Sequence, residues 1–158
     1  VDPTQWIAGF RQQHARHKAE PLTGEDLATY LAMREELARS LVAAQGLTVP
    51  VGQNARRHFR VAQVFPVELN NLYQSVTRDV SRAGFSAVVQ GAFKEGERIA
   101  FSLTLGRGIE PVTGSANVVS SLRLQGSSRV SFAIDHVADG GAERLECALF
   151  DAVLSRLK

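Results

Sequence analysis

Between Arg56 and Val137 the apolar residues come in short runs broken by glycines, and this pattern constrains the fold more than any other feature of the chain. Ile99, Phe101, Leu103 and Leu105 alternate with other residues, the period of a half-buried strand. Further strand-like runs cover 61–69, 74–79, 85–89, 112–124 and 129–137, and the run at 112–124 is long enough to bend. Turns are signalled at 91–96 and at Gly106 and Gly108, and Gly140-Gly141 ends the series. Six strands at short, regular spacing predict an antiparallel β-barrel.

Helical patterns flank this region. Asp2-Pro3 reads as an N-cap followed by proline at the first helical position. Trp6, Ile7 and Phe10 make one apolar patch on that helix, and Pro21 lies beyond its end. Thr23 begins a second helix with Asp26 at the third position, a variant of the capping box. Leu27, Tyr30, Leu31, Leu37, Leu41 and Ala44 fall on one stripe, and Gly46 supplies a left-handed stop. A last helix is predicted over 142–157, with Leu145, Leu149 and Val153 facing inward. The expected architecture is mainly β: an N-terminal helical pair over 1–46, a linker over 47–55, and over 56–158 a six-stranded antiparallel barrel closed by a C-terminal helix.

Composition narrows function by exclusion. A formal net charge of +2 gives no field strong enough to argue nucleic-acid binding. No apolar run approaches the length of a membrane span, so no membrane insertion is expected. Cys147 is the sole cysteine, which forbids an intramolecular disulfide and fits a reducing compartment. With no secretory leader visible, a cytoplasmic protein is expected. Cys147 itself reads as a small core residue of the last helix. His14 and His17 have a helical spacing that can hold metal, but no third ligand lies near in sequence, so they read as a solvated face. Asp135-His136 reads as a local polar pair. No nucleophile elbow, carboxylate pair or phosphate-binding glycine loop is present. The expectation is a protein without catalytic residues, metal or cofactor.

Two short motifs carry the functional signal. Arg56 and Arg60 stand four apart, with Arg57, His58 and Phe59 between them. In an extended segment Arg56, His58 and Arg60 would share one face, and Arg57 and Phe59 the other. Downstream, Asp79, Ser81 and Gly84 form a D-x-S-x-x-G pattern, with Asp79 and Ser81 on one face of a strand end and Gly84 where the chain must turn. Arginine donates paired hydrogen bonds to phosphate or to the O6/N7 edge of guanine. Aspartate accepts from guanine N1 and N2, and serine can donate or accept. Glycine lets backbone approach closely.

This pair of motifs, in this order and about one hairpin apart, resembles the signature of PilZ domains. The resemblance covers about 55–138. It implies a six-stranded barrel with a following helix, and cyclic di-GMP bound on its outside. By resemblance, Arg56 and Arg60 contact phosphate and guanine, Asp79, Ser81 and Gly84 contact the guanine, and Arg57 extends the basic run. One stretch departs from the pattern. Arg129-Val130-Ser131-Phe132 lacks a glycine common there, with Phe132 in the place of the core aromatic. The function implied is a non-enzymatic bacterial receptor that relays cyclic di-GMP to a partner protein through ordering of the arginine segment. The alternative is a PilZ-like adaptor that does not bind the nucleotide. The stripe of the second helix permits a homodimer.

Overall fold

The computed structural model describes residues 2–157, which divide into two compact units, one up to Phe59 and one from Arg60 onward. In the first unit, α1 spans Pro3–Ala19 and α2 spans Gly24–Ala44. The Asp2 carboxylate accepts from the Thr4 backbone N–H at 2.9 Å, so the predicted cap is made. The cap of α2 differs from expectation. Thr23 occupies the N-cap position, but its side chain makes no capping bond. Glu25 and Asp26 in the first turn instead place negative charge at the positive end of the helix. Gly46 ends the helical region at φ +68°, as predicted.

The buried line of α2 is Tyr30, Arg34, Leu37, Ala38 and Val42, turned slightly from the leucine stripe because it includes an arginine that an apolar count passes over. The Arg34 guanidinium lies 4.6 Å from the centre of the Tyr30 ring, so the aromatic face meets the cation. His14 is buried, not on a solvated face. It follows Phe10 by one turn of α1, so it shares that residue's inward side, and its Nδ1 bonds the Tyr30 hydroxyl.

The second unit is a closed barrel of six antiparallel strands: β1 Pro66–Leu69, β2 Tyr73–Val80, β3 Gly84–Val89, β4 Arg98–Leu103, β5 Val112–Leu124 and β6 Ser127–Val137. Around the barrel the order is β1-β2-β3-β6-β5-β4, and β4 closes onto β1 with Val67 opposite Leu103. Inward residues fill the interior: Phe85 stacks on Phe132 at 5.0 Å and meets Phe101 edge-on at 5.5 Å. Phe132 is therefore the core aromatic that the sequence suggested.

The first strand is shorter than expected. The stretch from Val61 to Phe65 is bound to β2 without being a regular strand. Val61 and Val80 form an isolated two-bond bridge. The Gln63 N–H turns back to the Val61 carbonyl, and Val64 points to solvent. The Thr77 side chain replaces the missing ladder, accepting from Phe65 N–H at 2.8 Å and donating to the Gln63 carbonyl at 2.7 Å. Pro66, which has no N–H to donate, then starts β1.

Helix α3 runs Gly141–Arg156 and buries Leu145, Leu149, Phe150 and Val153. Cys147 is only half-buried, and its Sγ donates to the Glu143 carboxylate at 3.3 Å instead of filling the core. Among the described residues no helix is long and apolar enough to cross a membrane.

Candidate functional site

The local fold between β2 and β3 sets the site. The register shifts by one residue between Thr77 and Asp79, so Arg78 is a bulge. Beyond the bulge Asp79 stands opposite Ser86, and Val80 opposite Phe85. Val80 and Phe85 point into the core, so Asp79 and Ser86 point outward. The Ser86 hydroxyl donates to Asp79 Oδ2 at 3.0 Å. The Val61–Val80 bridge fixes the chain just after Arg60. From there the Arg60 guanidinium reaches Asp79 Oδ1 through both Nε, at 3.0 Å, and Nη2. One carboxylate is thus held from two sides, by a cation and a hydroxyl.

Next to this group the outer face is lined by small hydroxyls. Ser86 opposes Ser131 on β6, and Ser131 opposes Ser120 on β5. Residues directly opposite share a face, so Asp79, Ser86, Ser131 and Ser120 form a row across four strands. Ser131 lies in the stretch 129–132 and adds a small polar side chain to that wall. The sequence reading missed Ser86 and the row it begins. The signal was faint, since only the bulge at Arg78 puts Ser86 opposite Asp79.

Ser81 and Gly84 do different work from Asp79. Ser81 is buried, and its Oγ accepts from the N–H groups of Ala83 at 3.1 Å and Gly84 at 3.2 Å. It therefore holds the turn that joins β2 to β3. Gly84 comes directly after that turn, as the first residue of β3. Its glycine identity has another cause: a Cβ there would stand 2.2 Å from the Phe132 carbonyl oxygen.

Arg56 and Arg57 belong to the first unit, and their conformation differs from the predicted extended one. Ala55–Arg57 is a single 3-10 turn, so Arg56, His58 and Arg60 do not alternate along a strand. The reason is Glu35 on α2. Its carboxylate accepts from the N–H of Ala55 at 2.9 Å and of Arg56 at 3.3 Å, closing the positive end of the turn. The Arg56 Nε lies 3.5 Å from the same carboxylate, and the Arg57 side chain is exposed. Partial burial, and then the positive charge of Arg57, hold His58 below the ordinary histidine value of 6.5. A proton titration followed by NMR should place the His58 midpoint below 6.5, and Arg57→Ala should raise it. An unchanged midpoint in Arg57→Ala would remove the charge from that explanation.

The second unit is thus a small closed barrel with an arginine–aspartate pair on its outer face. A family model for the PilZ domain matches residues 54–151, and the chain belongs to the PilZ domain family. Solved structures of the same fold include the inhibitor of motility (MotI/DgrA) of Bacillus subtilis, at 16% identity and a TM-score of 0.56. That match covers 68% of this chain and 57% of the Bacillus chain, so this chain spans little more than half of that protein. The PilZ domain of YcgR from Escherichia coli with c-di-GMP matches at 18% identity and a TM-score of 0.51, covering 63% of this chain and 92% of that one. YcgR from Escherichia coli in complex with c-di-GMP matches at 19% identity and 0.50, covering 61% and 45%. At such identities the likeness is one of fold. No curated protein matches the chain.

Proposed function

We propose that this chain is a receptor for cyclic di-GMP, with no chemistry of its own, that passes ligand occupancy on to a partner protein in the cytoplasm. The observation that carries the reading is the Arg60–Asp79 pair on the outer face of the barrel. It sets a planar cation and a fixed carboxylate side by side, as a ligand bearing both phosphate and guanine requires. The PilZ domain with bound c-di-GMP among the similar structures supports the same ligand.

The energetics favour exchange over competition. Arg60 and Asp79 have side chains 43% and 39% exposed, and a pair that wet contributes only about 0–1 kcal/mol. A phosphate or guanine edge that takes over the guanidinium can therefore displace it at little cost. Asp79, still held by Ser86, would accept from guanine N1 and N2. The serine row beside it would leave room for a flat base.

Arg56 and Arg57 would add charge to the phosphates. In the free protein the Ala55–Arg57 turn is already fixed by Glu35. The switch would then be an exchange of Arg56 from Glu35 to phosphate, not the ordering of a loose segment.

Titration calorimetry with cyclic di-GMP, using GTP as control, tests the reading. Saturable binding of the cyclic dinucleotide, without comparable binding of GTP, is the expected result. A folded protein that binds neither would leave the adaptor role, in which Arg60, Asp79 and Ser81 serve only the fold.

A further inference from the structure

Two contacts of α3 fall on the two chain segments that carry the site. Near its start, Glu146 is buried, and its Oε2 accepts from Arg82 Nη1 at 3.3 Å. Arg82 lies inside the turn between Asp79 and Gly84. At its end, Arg156 donates through Nη2 to the Ala62 carbonyl and, at 3.0 Å, to the Gln63 Oε1. Ala62 and Gln63 follow Arg60 by two and three residues. The Arg156 Nη1 also bonds the Ala152 carbonyl at 2.7 Å, which fixes the guanidinium on its own helix. One helix thus holds the segment of Arg60 at its C-terminal end and the turn of Asp79 from its first half. Ten residues of helix separate the two grips, about 15 Å along its axis.

We infer that Glu146 and Arg156 are positioning residues for the ligand site, and that α3 is the element through which occupancy of the site is felt elsewhere in the protein. The inference rests on the receptor reading above. A carboxylate as buried as Glu146 is costly unless paired, so the Arg82 contact ties the turn to α3 more firmly than a surface pair would. Arg60 follows no regular strand, and the Arg156 bonds supply part of what a strand ladder would. Arg60 and Asp79 meet only when both segments are in place. Coupling of this kind is reciprocal: if α3 favours the arrangement that binds, the bound ligand must steady α3.

The test combines affinity with amide hydrogen exchange on the full chain. Cyclic di-GMP is titrated into wild type, Glu146→Gln and Arg156→Ala, each well below its own melting temperature so that only folded protein is counted. Hydrogen exchange is measured on wild type with and without the nucleotide. Affinity should fall about 5-fold or more in both variants, and exchange along α3 should slow on binding although the ligand lies on other elements. Wild-type binding with unchanged affinity in folded variants would overturn the coupling and leave the receptor reading standing. If a variant does not fold, wild-type exchange decides alone, and protection of the 79–84 turn without protection of α3 overturns the inference. A wild type that binds nothing overturns the receptor reading first and the coupling with it.

Discussion

Arg60→Ala is expected to lose most of the affinity for cyclic di-GMP while leaving the barrel folded. The two effects separate because they draw on different energies. In the free protein Arg60 pairs with Asp79 in a half-solvated setting, so its removal costs folding no more than about 1 kcal/mol. The Val61–Val80 bridge, which positions this segment, uses backbone groups that the substitution leaves intact. In the complex the same guanidinium would make a paired, charge-assisted contact, typically about 1–3 kcal/mol. That range converts to an affinity loss of roughly 5- to 150-fold. Calorimetry gives the loss and urea denaturation gives the stability. Arg57→Ala, which removes an exposed side chain, should change affinity much less. Equal affinity in wild type and Arg60→Ala would take the guanidinium out of the site. A large stability loss in Arg60→Ala would instead mean that the pair belongs to the fold.

The parts of this molecule legible in the sequence are those governed by local periodicity. The alternation of Ile99, Phe101 and Leu103 gave β4, and Asp2-Pro3 gave the start of α1, because each depends on neighbours in sequence. What was not legible depends on partners far along the chain. Arg56 leaves the extended conformation because Glu35, some twenty residues earlier, caps the turn there. The burial of His14 follows from Tyr30, a contact between helices. The site shows the same division. Arg60 and Asp79 stand in the two motifs, and their meeting needs only the hairpin and one bridge. Ser86 was missed because its place beside Asp79 depends on a bulge whose residue, Arg78, has no distinctive chemistry. Gly84 follows the turn that its motif suggests, but the backbone that comes too close for any side chain is that of the neighbouring strand, a partner some fifty residues away.

That last point makes Gly84→Ala a damaging small substitution in the barrel, as Gly114→Ala would be on β5, where an added Cβ would lie 1.9 Å from the His136 carbonyl oxygen. A methyl group at this position would lie 2.2 Å from the Phe132 carbonyl oxygen and 3.3 Å from its carbon. The obstacle is backbone in a paired strand, so no side-chain rotation can relieve it. β3 and β6 must move apart where Gly84 opposes Ala133 and Phe85 opposes Phe132. Phe85 and Phe132 are stacked in the core at this level, so the strain would reach the interior. Overpacking of this kind costs about 1–3 kcal/mol or more. For a barrel of this size the melting temperature should drop on the order of 10 °C. Cyclic di-GMP affinity should fall as well, since Ser86 lies two residues along the displaced strand and holds Asp79. Gly9→Ala makes the contrast. Gly9 lies inside α1 with nothing within 4 Å of an added Cβ, so there alanine should stabilise the helix by up to about 1 kcal/mol. Thermal melts of the two variants beside wild type decide the matter. A Gly84→Ala protein that melts with wild type would show that β3 and β6 can separate freely, and the glycine of the motif would then need a reason in the ligand itself.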